Sequence, residues 1–160
     1  MKLRNMTSLY LVNDRGVLCL YRLGSRVADH MYIGSAGGHF EEGELNDPQK
    51  CVLREMNEEL GLTEEDVTGL TLRYITLRLK NGEIRQNYYF FARLRREQGL
   101  KSTEGILRWV PWEEVPTLEM PGSAKHMLLH YKKEGQKTTQ IYGGITQEAG
   151  TTFETFREFP

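Results

Sequence analysis

Apolar and polar positions along the chain alternate with a period of two in some stretches and near 3.6 in others, and the switches between them lay out a mixed plan of strands and helices. Residues 7–12 and 17–22 read as strands joined across Asn13-Asp14-Arg15-Gly16, a hairpin-type turn in which Gly16 is available for positive φ. Residues 23–30 are polar and contain glycine, and so read as a loop. A short apolar run, 31–33, leads into Gly34-Ser35-Ala36-Gly37-Gly38, small residues that permit close backbone approach. Residues 48–60 form a helix with Asp47 to cap its first turn, Pro48 in its first position and Gly61 to close it in the left-handed conformation. At about 100° per residue, Val52, Leu53, Met56 and Leu60 gather on one arc and Arg54, Glu55, Glu58 and Glu59 on the other.

Past this helix, residues 70–79 alternate, Lys80-Asn81-Gly82-Glu83 supplies an Asn-Gly turn, and 84–94 return as the partner strand. Tyr88-Tyr89-Phe90-Phe91 lies in that strand; alternation sends two rings to each face, which favours core packing over stacking on a base. A charged loop, 93–101, precedes an apolar strand at 106–110. Residues 123–133 read as a second amphipathic helix, with Met127, Leu128 and Tyr131 covering the sheet, and 138–144 with 151–156 as a last strand pair. The whole reads as one α+β unit.

Composition narrows the picture. The 160 residues, 39% hydrophobic with a net charge of −1, suit one compact domain spanning 1–160 with a real core. The near balance of charge argues against a nonspecific nucleic-acid binder. Cys19 and Cys51 are unpatterned and fall in a predicted strand and helix, which suits buried thiols in a reducing compartment better than a disulfide or metal site. The first twelve residues carry too short an apolar run for a signal peptide, and no apolar run approaches the ~18 residues of a membrane span. A soluble, cytoplasmic protein is expected, with no membrane partner. His126 and His130 have metal-ligand spacing on their helix but lack a third ligand, and read as surface histidines.

The chemistry concentrates on the first helix. Glu55, Glu58 and Glu59 stand at i, i+3 and i+4, so their carboxylates converge, at a cost of a few tenths of a kcal/mol per pair. Hard divalent cations take such oxygens together with substrate phosphates. A solvated glutamate face needs no ligand, but three features favour a cation-phosphate site: the glycines Gly37 and Gly38 just ahead, a further carboxylate at Glu44, and no basic partner beyond Arg54, which reaches Glu58 one turn on. Arg22 and Arg26 bracket the loop after the second strand and are candidate phosphate contacts, against the alternative of ordinary surface charges.

The run Gly38-x5-Glu44 followed by Arg54-Glu55-Met56-x-Glu58-Glu59-x-Gly61-Leu62 resembles the Nudix box. One departure is plain: nine residues separate Glu44 from Arg54 where the family has seven, and the surplus is best placed as Leu45-Asn46, ahead of the cap at Asp47. The resemblance implies an α/β/α sandwich around a mixed sheet and Mg²⁺- or Mn²⁺-dependent hydrolysis of a nucleoside diphosphate linked to another group X. Glu55, Glu58, Glu59 and the Gly37 carbonyl would hold the cation, with Glu104 as an additional ligand or general base chosen by its position in the chain. Arg54 would fix the glutamates, Gly38 would lie against substrate, and the general base is left open between Glu55 and Glu104. A nucleoside triphosphate, including oxidised purine nucleotides, is the leading substrate. ADP-ribose, dinucleoside polyphosphates and nucleotide sugars are the alternatives, as is a nucleotide-sensing module without catalysis. Family members often pair, and the sequence leaves a homodimer open.

Overall fold

In a computed structural model, residues 1–24 and 30–160 are described. The strands are β1 (Lys2–Val12), β2 (Gly16–Arg22), β3 (Tyr32–Ile33), β4 (Ala36–His39), β5 (Val67–Lys80), β6 (Glu83–Leu94), β7 (Gly105–Pro111), β8 (Tyr142–Gln147) and β9 (Gly150–Thr155). They join in one mixed sheet of order β3-β2-β1-β6-β5-β8-β9, with β4 on β1 and β7 on β2. The β1–β6 and β5–β8 pairings are parallel and the others antiparallel. Helices α1 (Pro48–Leu60) and α2 (Gly122–Lys133) complete the α+β plan.

Alternation along the central strands divides the core between the two faces of the sheet. Leu9, Leu11, Phe90 and Ala92 pack with Val52, Met56 and Leu60 of α1. Tyr10, Tyr89 and Phe91 point the other way, into a cluster with Ala124, Met127 and Leu128 of α2. The aromatic run 88–91 therefore serves the core on both faces, as its alternation requires.

Helix α1 has the predicted bounds because each end is fixed by local chemistry. The Asp47 carboxylate accepts the Lys50 N–H at 3.0 Å, Pro48 occupies the first turn, and Gly61 closes the helix at φ 69° while its N–H donates to the Asn57 carbonyl at 2.9 Å. The Asn81-Gly82 turn has both residues in the left-handed region, φ 53° and 71°, which matches the twist of the β5–β6 hairpin.

Elsewhere the structure departs from the sequence reading. β1 begins at Lys2, five residues before the predicted strand, because its polar first half is paired with β6. Gly16 does not take positive φ; it is required by space, since a Cβ there would run into the Val110 carbonyl of β7. The final hairpin starts at Tyr142, not at 138. Arg73 holds the preceding segment out of the sheet, donating to the carbonyls of Gly135 at 2.6 Å and Gln140 at 3.1 Å. Nor are the two histidines of α2 free surface groups: His126 Nδ1 lies 2.9 Å from Thr151 Oγ1 and His130 Nδ1 2.8 Å from the Tyr74 hydroxyl. The His130 ring also packs against Tyr142 and Phe153 of the last hairpin.

Met56 is 1% exposed at the centre of the α1–sheet contact. Met56→Ala should lower the unfolding free energy by about 2–5 kcal/mol in urea denaturation, the range for a large-to-small change in a packed core.

Candidate active site

Because Val52, Met56 and Leu60 face the sheet, the opposite arc of α1 presents Arg54, Glu55, Glu58 and Glu59 beside the edge of β4. Arg54 is the centre of this arrangement. Its Nε and Nη2 grip the Glu44 carboxylate at 2.6 and 3.1 Å, its Nη1 reaches Glu55 at 3.0 Å and Glu58 at 3.1 Å, and Nη2 also donates to the His39 carbonyl at 3.1 Å. The Glu44 side chain is only 3% exposed. The Arg54 guanidinium beside it holds its carboxyl down at about 2 despite burial, helped by the Glu41 N–H at 2.9 Å. Leu45 and Asn46 are exposed, in a turn closed by the Asp47 N–H on the Glu44 carbonyl at 2.8 Å. The two surplus residues are thus taken up outside the Arg54 pairing.

Glu55 and Glu59 have a different environment. Burial raises both carboxyls, moderated at Glu55 by Arg54, and pushes Glu59 up to about 8 despite its hydrogen bond from the Gly37 N–H at 3.2 Å. Nearby Glu55 and Glu104 reinforce the rise at Glu59. Backbone reaches these groups because Gly38 lacks a side chain, and a Cβ there would collide with the Glu55 carboxylate. Glu104, just before β7, has Oε2 3.6 Å from Arg22 Nη2. Glu55, Glu59, Glu104, Arg22, Gly37 and Gly38 all line one cleft of about 740 Å³. Glu58 does not: its side chain is 55% exposed and turned to Arg54. Arg26 lies outside the described residues.

A family model, the NUDIX domain, matches residues 2–131. The chain belongs to the Nudix family. It is therefore a hydrolase of pyrophosphate bonds. Among solved structures, the MutT protein of Bacillus halodurans is 23% identical over 95% of this chain and 97% of its own, with a TM-score of 0.63. The MutT Nudix hydrolase of Burkholderia pseudomallei is 18% identical over 81% and 98%, TM-score 0.65. An Ap4A hydrolase of C. elegans is 15% identical over 86% and 100%, TM-score 0.66. At these identities the likeness is one of fold. Residues 132–160, with the β8–β9 hairpin, lie past the Nudix match.

Among the described residues, no three acidic, imidazole or thiol groups already surround a point where a cation could sit. The reason is visible: Arg54 stands between Glu55 and Glu58 and engages both. The donor set nevertheless fits a hard dication. Glu55 and Glu59 are oxygen donors crowded beside Gly37 and Gly38 in a buried setting that disfavours bare negative charge, which a bound cation would relieve. Glu58 stands on the same helix arc, with its carboxylate on Arg54.

The cleft also contains residues that the sequence reading of this Nudix domain passed over. Its floor is the face of β1, β6 and β5 that carries Ser8, Asn87 and Thr76, followed by Arg4, Arg85 and Arg78. Arg78 and Arg85 stand symmetrically about the Asn81-Gly82 turn, so a two-residue hairpin loop places them opposite each other; that signal was in the sequence. Arg4 joins them only through the parallel β1–β6 pairing, which no local pattern announces.

The Glu44–Arg54 pair sets a pH dependence. Glu44 has a folded pKa of about 2 against an ordinary 4.5, so its contribution is fully present above about pH 4.5 and is lost as pH falls towards 2. Glu44→Gln should cost roughly 3 kcal/mol at pH 7 in chemical denaturation, and the gap between wild type and variant should close over that acid window.

Proposed function

We propose that this Nudix hydrolase cleaves a nucleoside diphosphate linked to another group X, foremost a nucleoside triphosphate, oxidised purine nucleotides included, to release a nucleoside monophosphate. The reading is carried by one observation: the Glu55 and Glu59 carboxyls lie together against the Gly37–Gly38 backbone at the wall of a cleft, with burial raising both. A cleft of about 740 Å³ is within the usual range for a small-molecule site.

In this proposal Glu55, Glu58, Glu59 and the Gly37 carbonyl hold Mg²⁺, with Mn²⁺ as a substitute, and Glu104 stands as a further ligand. The bound cation would neutralise the diphosphate and favour the charge that develops on its oxygens. The protein's own groups do the rest. Arg54, anchored by Glu44, keeps Glu55 and Glu58 at the same edge of α1. Gly38 lets the Glu55 carboxylate sit against the backbone at the cleft wall, where the diphosphate would lie, and Arg22 offers a positive charge at the Glu104 side of the cleft. A carboxylate, Glu55 or Glu104, orients the attacking water and accepts its proton, while the leaving phosphate departs into the open cleft. The substrate binds as a small molecule, without nucleic acid or membrane.

A panel of nucleoside triphosphates, dinucleoside polyphosphates, nucleotide sugars and ADP-ribose, assayed with Mg²⁺ and with products identified by chromatography, tests this. Triphosphates should give nucleoside monophosphate and pyrophosphate, and EDTA should abolish turnover. Glu59→Gln should lower kcat by about a hundredfold or more with unchanged circular dichroism. Turnover confined to dinucleotides or nucleotide sugars would sink the triphosphate assignment, and Glu58→Gln or Glu59→Gln enzymes with wild-type kcat would sink the assigned ligands.

A further inference from the structure

Three arginines stand in one row across the floor of the cleft. Arg4 of β1 is in register with Arg85 of β6, and Arg85 with Arg78 of β5. Neighbouring strands lie about 4.8 Å apart, so the three side chains rise from the same face within about 10 Å. Like charges directly opposite each other destabilise a sheet. Compensation within the chain is incomplete. Glu83 Oε1 lies 3.1 Å from Arg4 Nε and 2.8 Å from Arg85 Nε, so one carboxylate serves two arginines. Arg78 is half-buried and has no ion pair among the described residues; burial and the adjacent Arg85 both disfavour its charge. The row is short of negative charge at a place open to ligand, since all three residues line the cleft.

Its position separates it from the glutamates. Gly37, which donates to Glu59, is in register with Ser8, and Arg4 lies four residues from Ser8 along β1, about 13 Å at the rise of an extended strand. A group bound by the row is therefore not the group held beside Glu55 and Glu59. A guanidinium fork suits the tetrahedral oxygens of a phosphate, and three forks side by side suit a dianion.

We propose that Arg4, Arg85 and Arg78 form a phosphate subsite that takes a part of the substrate beyond the bond cleaved at the glutamates, so that the preferred substrate ends in a phosphate and not in a neutral sugar. This rests on the hydrolysis proposed above. The phosphate can come from two sources, the end of a polyphosphate chain or a phosphate ester at the far end of X.

Two measurements test the subsite, one of them independent of catalysis. In EDTA, inorganic pyrophosphate titrated calorimetrically into the intact protein should bind about tenfold more weakly to Arg78→Gln than to wild type, and more weakly still to Arg78→Gln/Arg85→Gln, with Arg78→Lys recovering part of the loss. The melting temperature of Arg78→Gln should not fall, because the substitution removes an opposed charge and breaks no ion pair. With Mg²⁺, Arg78→Gln should raise KM about tenfold for a phosphate-ended substrate, leave kcat within about twofold, and leave a nucleoside diphosphate joined to a neutral sugar unaffected. A rise confined to triphosphates assigns the chain end; a rise confined to a phosphorylated nucleotide sugar assigns the ester. Pyrophosphate binding indifferent to both variants, or a loss that appears in kcat and not in KM, overturns the subsite. If no nucleotide is hydrolysed but the arginine variants still lose pyrophosphate, the subsite stands and the catalytic reading falls. If hydrolysis proceeds and the variants are indifferent, the reverse holds.

Discussion

The buried ion pair between Arg54 and Glu44 is the constraint on which the site depends. A carboxylate with 3% of its side chain exposed is tolerable only because a guanidinium grips both of its oxygens, and that guanidinium is available only because α1 holds it over the short turn ending at Glu44. The same fork reaches Glu55, Glu58 and the His39 carbonyl of β4. One side chain thus fixes the helix against the strand edge and sets which glutamates face the cleft. Removing Arg54 would leave Glu44 charged and buried without a cation, whereas Arg54 without Glu44 would still have Glu55 and Glu58. The thiol of Cys51, raised to about 11 by burial, lies against this pair, with its Sγ 3.9 Å from Arg54 Nη2.

Charge in the cleft is separated in a way that the near-neutral net charge conceals. Carboxylates collect where α1 meets β4, and cations collect where β1 and β6 begin and β5 ends. Each group has fewer opposite charges within the protein than its burial demands. Burial strengthens the hold of Glu59 on a proton and weakens that of Arg78. A ligand that carries phosphates and brings a divalent cation would relieve both at once, which is how a cleft can favour such a complex without a large net charge on the chain.

What could be read from the sequence divides along the range of the interactions involved. The limits of α1 were legible because Asp47, Pro48 and Gly61 act within one turn of the residues they cap, and the Asn81-Gly82 hairpin because its two left-handed residues are adjacent. The glutamate arc was legible because its spacing is fixed by the helix. The i,i+4 spacing also announced that Arg54 reaches Glu58; what it does not express is that the same guanidinium takes Glu44 and Glu55 as well and draws Glu58 away from the cleft. The first half of β1, the segment held by Arg73 and the packing of His130 against the last hairpin each depend on partners tens of residues away. Local propensity for residues 2–6 or 138–141 carries no trace of those partners.

The parallel pairing of β1 with β6 has a consequence for the order in which the chain acquires its structure. Lys2 meets Glu83 and Leu11 meets Ala92, contacts that close a loop of about eighty residues, whereas β5 and β6 close across two. Loop closure favours the near contacts, which makes the β5–β6 and β1–β2 hairpins the low-cost units and their joining through β1–β6 the costly step. β1 is made about eighty residues before β6, so that parallel pairing waits for the whole intervening chain. Leu9 and Leu11, fully buried at the end, have nearer partners in Ala36 and Leu18 to hold them until then.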